Sequence, residues 1–124
     1  MKKILLIEDH EEVRDNIQDV LEMEGFEIFA AQNGKIGIQL AREQLPDLII
    51  CDVMMPEMDG HSVVKALRQD ERTAHIPFIF LTAKAFESDR KQGMELGADY
   101  YMTKPFSFDD FLQVISTYLE KKRM

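Results

Sequence analysis

Three short apolar runs and one short mixed segment in this chain lead into polar residues of complementary chemistry. Glu8 and Asp9 follow Ile4-Leu5-Leu6-Ile7, and Asp52 follows Leu48-Ile49-Ile50-Cys51. Thr82 follows Phe78-Ile79-Phe80-Leu81, and Lys104 comes just after the 99–102 segment. Carboxylates brought close together repel one another and resist joint ionisation. A divalent cation relieves that repulsion, and Mg²⁺ suits an oxygen-only donor set because it favours octahedral geometry and retains several waters. During transfer, a phosphoryl group spreads negative charge over its equatorial oxygens. A cation, an ammonium and a hydroxyl donor are what that charge needs. An Asp carboxylate can act as the nucleophile and form an acyl phosphate. Asp52 is the candidate nucleophile, while Glu8 and Asp9 are better placed as metal ligands. His10, His61 and His75 have no zinc-like spacing and read as plain surface. Taken singly, an Asp after a strand is ordinarily a cap or turn former. It is their joint placement, each at the end of a separate strand, that argues for chemistry.

The elements that must position these residues alternate in kind. Residues 3–7 read as a buried strand and 10–24 as a helix with Val13, Ile17, Val20 and Leu21 on one face. Gly25 ends that helix. Residues 26–31 form a weakly alternating strand, and Asn33-Gly34 turns into a helix over 35–44. After Pro46, residues 48–51 are a strand ending at Asp52. Pro56 and Gly60 mark a loop, then a third helix runs to about residue 70 with Val63, Val64 and Leu67 inward. Residues 77–81 are the fourth strand, 86–95 a polar helix, and 99–102 a short strand. Ser107 is spaced to cap a last helix reaching about 121, which buries Phe111, Leu112, Ile115 and Leu119. Five strands alternating with five helices predict an α/β fold with a doubly wound parallel sheet and helices on both faces. In such sheets, sites form outside the carboxyl ends of the strands, where the five polar residues fall.

The 124 residues fit one domain, 1–124, with no linker or repeat. The net charge of −8 disfavours direct binding to nucleic acid. Lys121-Lys122-Arg123 reads as a solvated helix end. Cys51 is a lone cysteine in an apolar run and is expected to be a small buried hydrophobe. The apolar run after Lys2-Lys3 is too short for a signal peptide, and no segment approaches a membrane span. The expectation is a cytoplasmic protein without membrane contact.

The sequence resembles the receiver domains of two-component response regulators over essentially its full length. The resemblance rests on Ile7-Glu8-Asp9, Asp52-Val53-Met54-Met55-Pro56-Glu57-Met58-Asp59-Gly60, Leu81-Thr82-Ala83, Gly97-Ala98-Asp99 and Lys104-Pro105-Phe106. It implies a flavodoxin-like sheet in the order 2-1-3-4-5. It also implies that Asp52 is the phosphoacceptor, with Mg²⁺ held by Asp9, Asp52, the Met54 backbone carbonyl and Glu8, the last directly or through water. Lys104 would pair with the phosphoryl group and Thr82 would hydrogen-bond it. Tyr101 would be an aromatic switch that turns inward on activation, and Lys104-Pro105 would be cis. The partners implied are a sensor histidine kinase or a histidine phosphotransfer protein, then a downstream effector protein. His10, Arg14, Ile17 and Phe106 are candidate docking residues, although Ile17 reads equally well as core. A haloacid-dehalogenase-type phosphatase would need an acid where Met54 stands. A flavin binder would need a phosphate loop in place of Glu8-Asp9. Winged-helix transcription factors resemble Gly-Ala-Asp-Asp-Tyr at strand five and carry arginines on the last helix. Tyr100, and the lack of Arg before Arg123, set this chain apart from them.

Overall fold

A computed structural model describes residues 1–84 and 86–120, so the reading of Lys121-Lys122-Arg123 lies outside the described residues. The elements are β1 (Lys3–Ile7), α1 (Glu11–Met23), β2 (Glu27–Ala31), α2 (Gly34–Gln44), β3 (Leu48–Cys51), α3 (Gly60–Arg68), β4 (Phe78–Thr82), α4 (Glu87–Glu95), β5 (Tyr100–Thr103) and α5 (Phe108–Glu120). The sheet is parallel throughout, in the order β2-β1-β3-β4-β5. The predicted fold and strand order therefore hold.

Side chains alternate across a strand, so a strand covered on both faces must be apolar at every position. That explains the unbroken runs of β1, β3 and β4. In β1, Leu5 and Ile7 enter one core with Ile38 and Ala41 of α2 and Val63, Val64 and Leu67 of α3. Ile4 and Leu6 enter the other, with Ile17 and Leu21 of α1 and Phe111 and Ile115 of α5. In β3, Ile49 and Cys51 join the first core, Leu48 and Ile50 the second. The edge strands β2 and β5 are only half covered.

Local signals set the helix ends. Asn33 accepts the Ile36 amide at 2.8 Å, so Gly34 is the first residue of α2 rather than part of a preceding turn. Asp59 accepts the Ser62 amide at 2.9 Å and starts α3. Ser107 accepts the Asp110 amide at 3.1 Å, as the spacing predicts. Gly25, at φ 92°, follows α1 in the left-handed region open to glycine. Gly60 is required for a different reason: a Cβ there would collide with the Asp52 carbonyl and come 2.7 Å from the Phe80 ring. Glycine thus lets α3 start directly against the end of β3.

Candidate functional site

The ends of β1, β3 and β4 deliver the polar residues in register. The sheet's hydrogen bonding continues one residue past the strands: Glu8 N–H reaches Ala31 O at 3.0 Å, Asp52 N–H reaches Ile7 O at 3.1 Å, and Lys104 N–H reaches Thr82 O at 2.8 Å. The backbones of Glu8, Asp52 and Lys104 are therefore as fixed as the sheet itself. The Lys104-Pro105 peptide is cis.

Their side chains converge. Lys104 Nζ donates to Glu8 Oε1 at 3.0 Å and stands 3.7 Å from Asp52 Oδ2. Glu8 and Asp52 are buried. Burial first, then the Asp52 charge, pushes the Glu8 carboxyl above its ordinary range, against the pull of the His10 amide and the Lys104 ammonium. Asp52 Oδ1 accepts the Met54 amide at 3.2 Å. Asp9 Oδ1 is buried with no hydrogen-bond partner among the described residues. One donor atom from each of Glu8, Asp9, His10 and Asp52 lies within 4.8 Å of the others. Arg14 Nη1 donates to the Glu8 carbonyl at 2.9 Å, tying α1 to the acidic corner.

Thr82 is fully buried, and its Oγ1 accepts the Lys84 amide at 3.2 Å. The Tyr101 hydroxyl donates to the Lys84 carbonyl at 2.8 Å. Thr82 and Tyr101 therefore grip the same residue from two sides. The Tyr101 ring already lies inward, 9% exposed and tilted against Phe80. Its burial, with the Asp89 and Asp52 charges, pushes the phenol up to about 12. A cleft of about 610 Å³ beside Asp52 is lined by Met54, Met55, His61 and Lys84.

The structure thus brings Glu8, Asp9, Asp52, Thr82 and Lys104 to one edge. One expectation fails and one open alternative is decided. His61 is not surface: it is 7% exposed, packs edge-on against Phe80, and holds its Nε2 3.1 Å from the Asp89 carbonyl. The signal for it lies in periodicity, since His61, Val64 and Leu67 share the inward face of α3 at helical spacing. Ile17 is 3% exposed and belongs to the core, so it offers nothing for docking. His10 and His75 are exposed, as expected, although His10 leans over the acids. Two further features left no sequence signal. Lys84 Nζ lies 3.4 Å from Asp89 Oδ1. Arg68 reaches the Gly97 carbonyl at 2.9 Å, the Ile76 carbonyl at 2.7 Å and Asp99 Oδ2 at 3.2 Å.

Comparison with known proteins agrees with this geometry. Residues 4–116 match the model of the response regulator receiver domain. The chain is 41% identical, over 98% of its length, to the DNA-binding dual master transcriptional regulator RpaA of a Synechocystis species, of which it covers 50%. It is 40% identical, over 96% of its length, to histidine kinase P4 of Formosa agariphila, of which it covers 9%. The chain therefore spans half or less of the length of these relatives. Among solved structures, it superposes at a TM-score of 0.90 on the receiver domain of sensor histidine kinase PA1611 from Pseudomonas aeruginosa PAO1. That protein is 28% identical, the match covers 97% and 98% of the two chains, and it carries a magnesium ion coordinated in its active-site cleft.

Proposed function

The chain belongs to the response regulator receiver family, and from that premise we propose that it is a phosphorylation-dependent signalling switch of a two-component system, with Asp52 as phosphoacceptor. Residues 1–124 form one receiver domain. The observation that carries the reading is the Lys104 ammonium between Glu8 and Asp52, at the ends of β1, β3 and β5.

The donor set fits Mg²⁺. Glu8, Asp9 and Asp52 supply oxygens, Asp9 Oδ1 is buried with no hydrogen-bond partner among the described residues, and burial with the Asp52 charge pushes the Glu8 carboxyl up even with Lys104 beside it. Asp9, Asp52 and the Met54 carbonyl would hold the ion, with Glu8 joining directly or through water. Bound there, Mg²⁺ would neutralise charge on the phosphoryl oxygens.

The remaining work falls to the chain. An Asp52 oxygen attacks the phosphorus of a phosphohistidine on a sensor kinase or phosphotransfer protein. The P–N bond breaks, the imidazole leaves with the bonding pair and takes up a proton, and an acyl phosphate remains on Asp52. Lys104 offers its ammonium to the incoming oxygens and Thr82 its hydroxyl. A phosphoryl group adds about two negative charges. A move of Thr82 toward it changes the seat of Lys84, which the Tyr101 hydroxyl also holds. The change reaches a downstream effector protein through that pair.

Acetyl phosphate with Mg²⁺ tests this, with intact mass as the readout. The wild type should gain one phosphate, and neither Asp52→Asn nor the wild type in excess chelator should gain any. Equal labelling of Asp52→Asn sinks the assignment. No labelling of the wild type by acetyl phosphate or by phosphohistidine donors would favour a module that only binds partners.

A further inference from the structure

We propose that His10 is a nitrogen donor to the divalent centre and biases it toward imidazole-seeking transition ions over Mg²⁺. The inference rests on the metal-dependent reading above and adds a ligand that the oxygen set does not contain.

The backbone aims the ring. His10 is the N-cap of α1, with extended φ −82° and ψ 115°, and its ring makes no capping bond to the helix. Its N–H donates to Glu8 Oε2 at 3.2 Å and its carbonyl accepts the Arg14 amide at 2.9 Å, so the residue is pinned on both sides. The ring turns back over the acids instead, with Nδ1 3.4 Å from Glu8 Oε2 and 3.4 Å from Asp9 Oδ1.

Those spacings are close to a coordination sphere. Two donors about 2.1 Å from a shared octahedral ion stand about 3.0 Å apart when adjacent and about 4.2 Å when opposite. Donor atoms of Glu8, Asp9, His10 and Asp52 all lie within 4.8 Å of one another. A contraction of about 0.4 Å would bring His10 Nδ1 to adjacent-ligand spacing from both Glu8 and Asp9. As a hydrogen bond, the 3.4 Å contact from Nδ1 to Glu8 is long. The Asp9 oxygen it also faces has no hydrogen-bond partner among the described residues. Glu11 and Glu12, in the first turn of α1, add negative charge at the same end.

The two classes of ion differ in what they gain from the ring. Mg²⁺ prefers oxygen and gives up water reluctantly, so it binds through the carboxylates with or without His10. Co²⁺, Ni²⁺ and Zn²⁺ take imidazole readily.

The test uses the full chain at pH 8. Calorimetric titrations with Co²⁺ and with Mg²⁺ compare the wild type with His10→Asn, with His75→Asn controlling for binding at another exposed histidine. Loss of one tuned contact typically costs a metal site about tenfold or more, so the Co²⁺-to-Mg²⁺ affinity ratio should fall about tenfold in His10→Asn and stay unchanged in His75→Asn. Pulsed electron paramagnetic resonance of the wild type loaded with one equivalent of Cu²⁺ should show coupling to an imidazole nitrogen that the His10→Asn spectrum lacks and the His75→Asn spectrum keeps. An unchanged ratio, or no nitrogen coupling in the wild type, overturns the inference while Mg²⁺ binding leaves the receiver reading standing. Absence of any Mg²⁺ binding to the wild type overturns both.

Discussion

Met54 and Lys84 stand two residues after Asp52 and Thr82 and line the same cleft. Hydrolysis of an acyl phosphate needs a water in line with the Asp52–phosphorus bond. Met54, 57% exposed over that cleft, has no side-chain group that orients water well, and Lys84 is a donor only, occupied with Asp89. An orienting contact of about 1.4 kcal/mol in the transition state is worth about tenfold in rate. The phosphorylated chain should therefore decay slowly for its kind. Met54→Asn with Lys84→Glu should decay about tenfold faster in Mg²⁺, and unchanged decay would leave Met54 as packing alone. Tyr101 carries a second consequence. Its phenol is raised above the ordinary value of 10 to about 12, chiefly by burial. A raised acid stabilises the fold fully below its ordinary value and loses that contribution as pH climbs through the raised one. The Tyr101 contribution should thus hold to about pH 10 and vanish by about pH 12. Ultraviolet titration should show a late-ionising tyrosine that disappears in Tyr101→Phe. Its survival there would show that another phenol is the late one.

At the scale of elements, α4 is the loosest described helix. Gly93 is its one buried residue, and Phe86 caps it without a side-chain bond. What holds it is local: His61 on the Asp89 carbonyl, Lys84 on the Asp89 carboxylate, and Gly93 close under the Phe80 ring. Elements with few buried apolar contacts open most easily. Amides of 87–95 should exchange faster than those of α3, and beryllofluoride with Mg²⁺ should alter protection across 82–106. Uniform exchange with and without it would count against a switch through Thr82 and Tyr101. These elements were legible to different degrees. The β1 and β3 bounds follow from unbroken apolar runs, because a strand buried on both faces leaves no other pattern. The edge strand β5 starts one residue later than its composition suggests, and the Asp99 carboxylate just before it accepts the Phe78 amide at 2.9 Å. His61 was misjudged because histidine suits either environment and its partner, a backbone carbonyl 28 residues away, has no sequence signature. The convergence of Glu8, Asp9, Asp52 and Lys104 was readable because sheet topology converts strand ends into neighbours.

Across the whole molecule, the sheet stands between two separate hydrophobic clusters, and residues adjacent in the chain face opposite ones. Ile49 belongs to the cluster beneath α2 and α3, and Ile50 to the cluster beneath α1 and α5. Trimming one buried methyl group usually costs about 1 kcal/mol. Contacting residues couple, whereas independent sites add to within about 0.5 kcal/mol. Ile49→Val and Ile50→Val should therefore sum in denaturant unfolding despite being chain neighbours. Ile50→Val and Ile115→Val, which share a cluster, should not. A coupling of Ile49 with Ile50 as large as that of Ile50 with Ile115 would show that the sheet transmits strain between its faces. If it does not, the chain's freedom to vary is divided in two. Substitutions can accumulate on the side facing α1 and α5 without compensating changes on the side facing α2 and α3, so one surface can drift toward new partners while the other stays as it is.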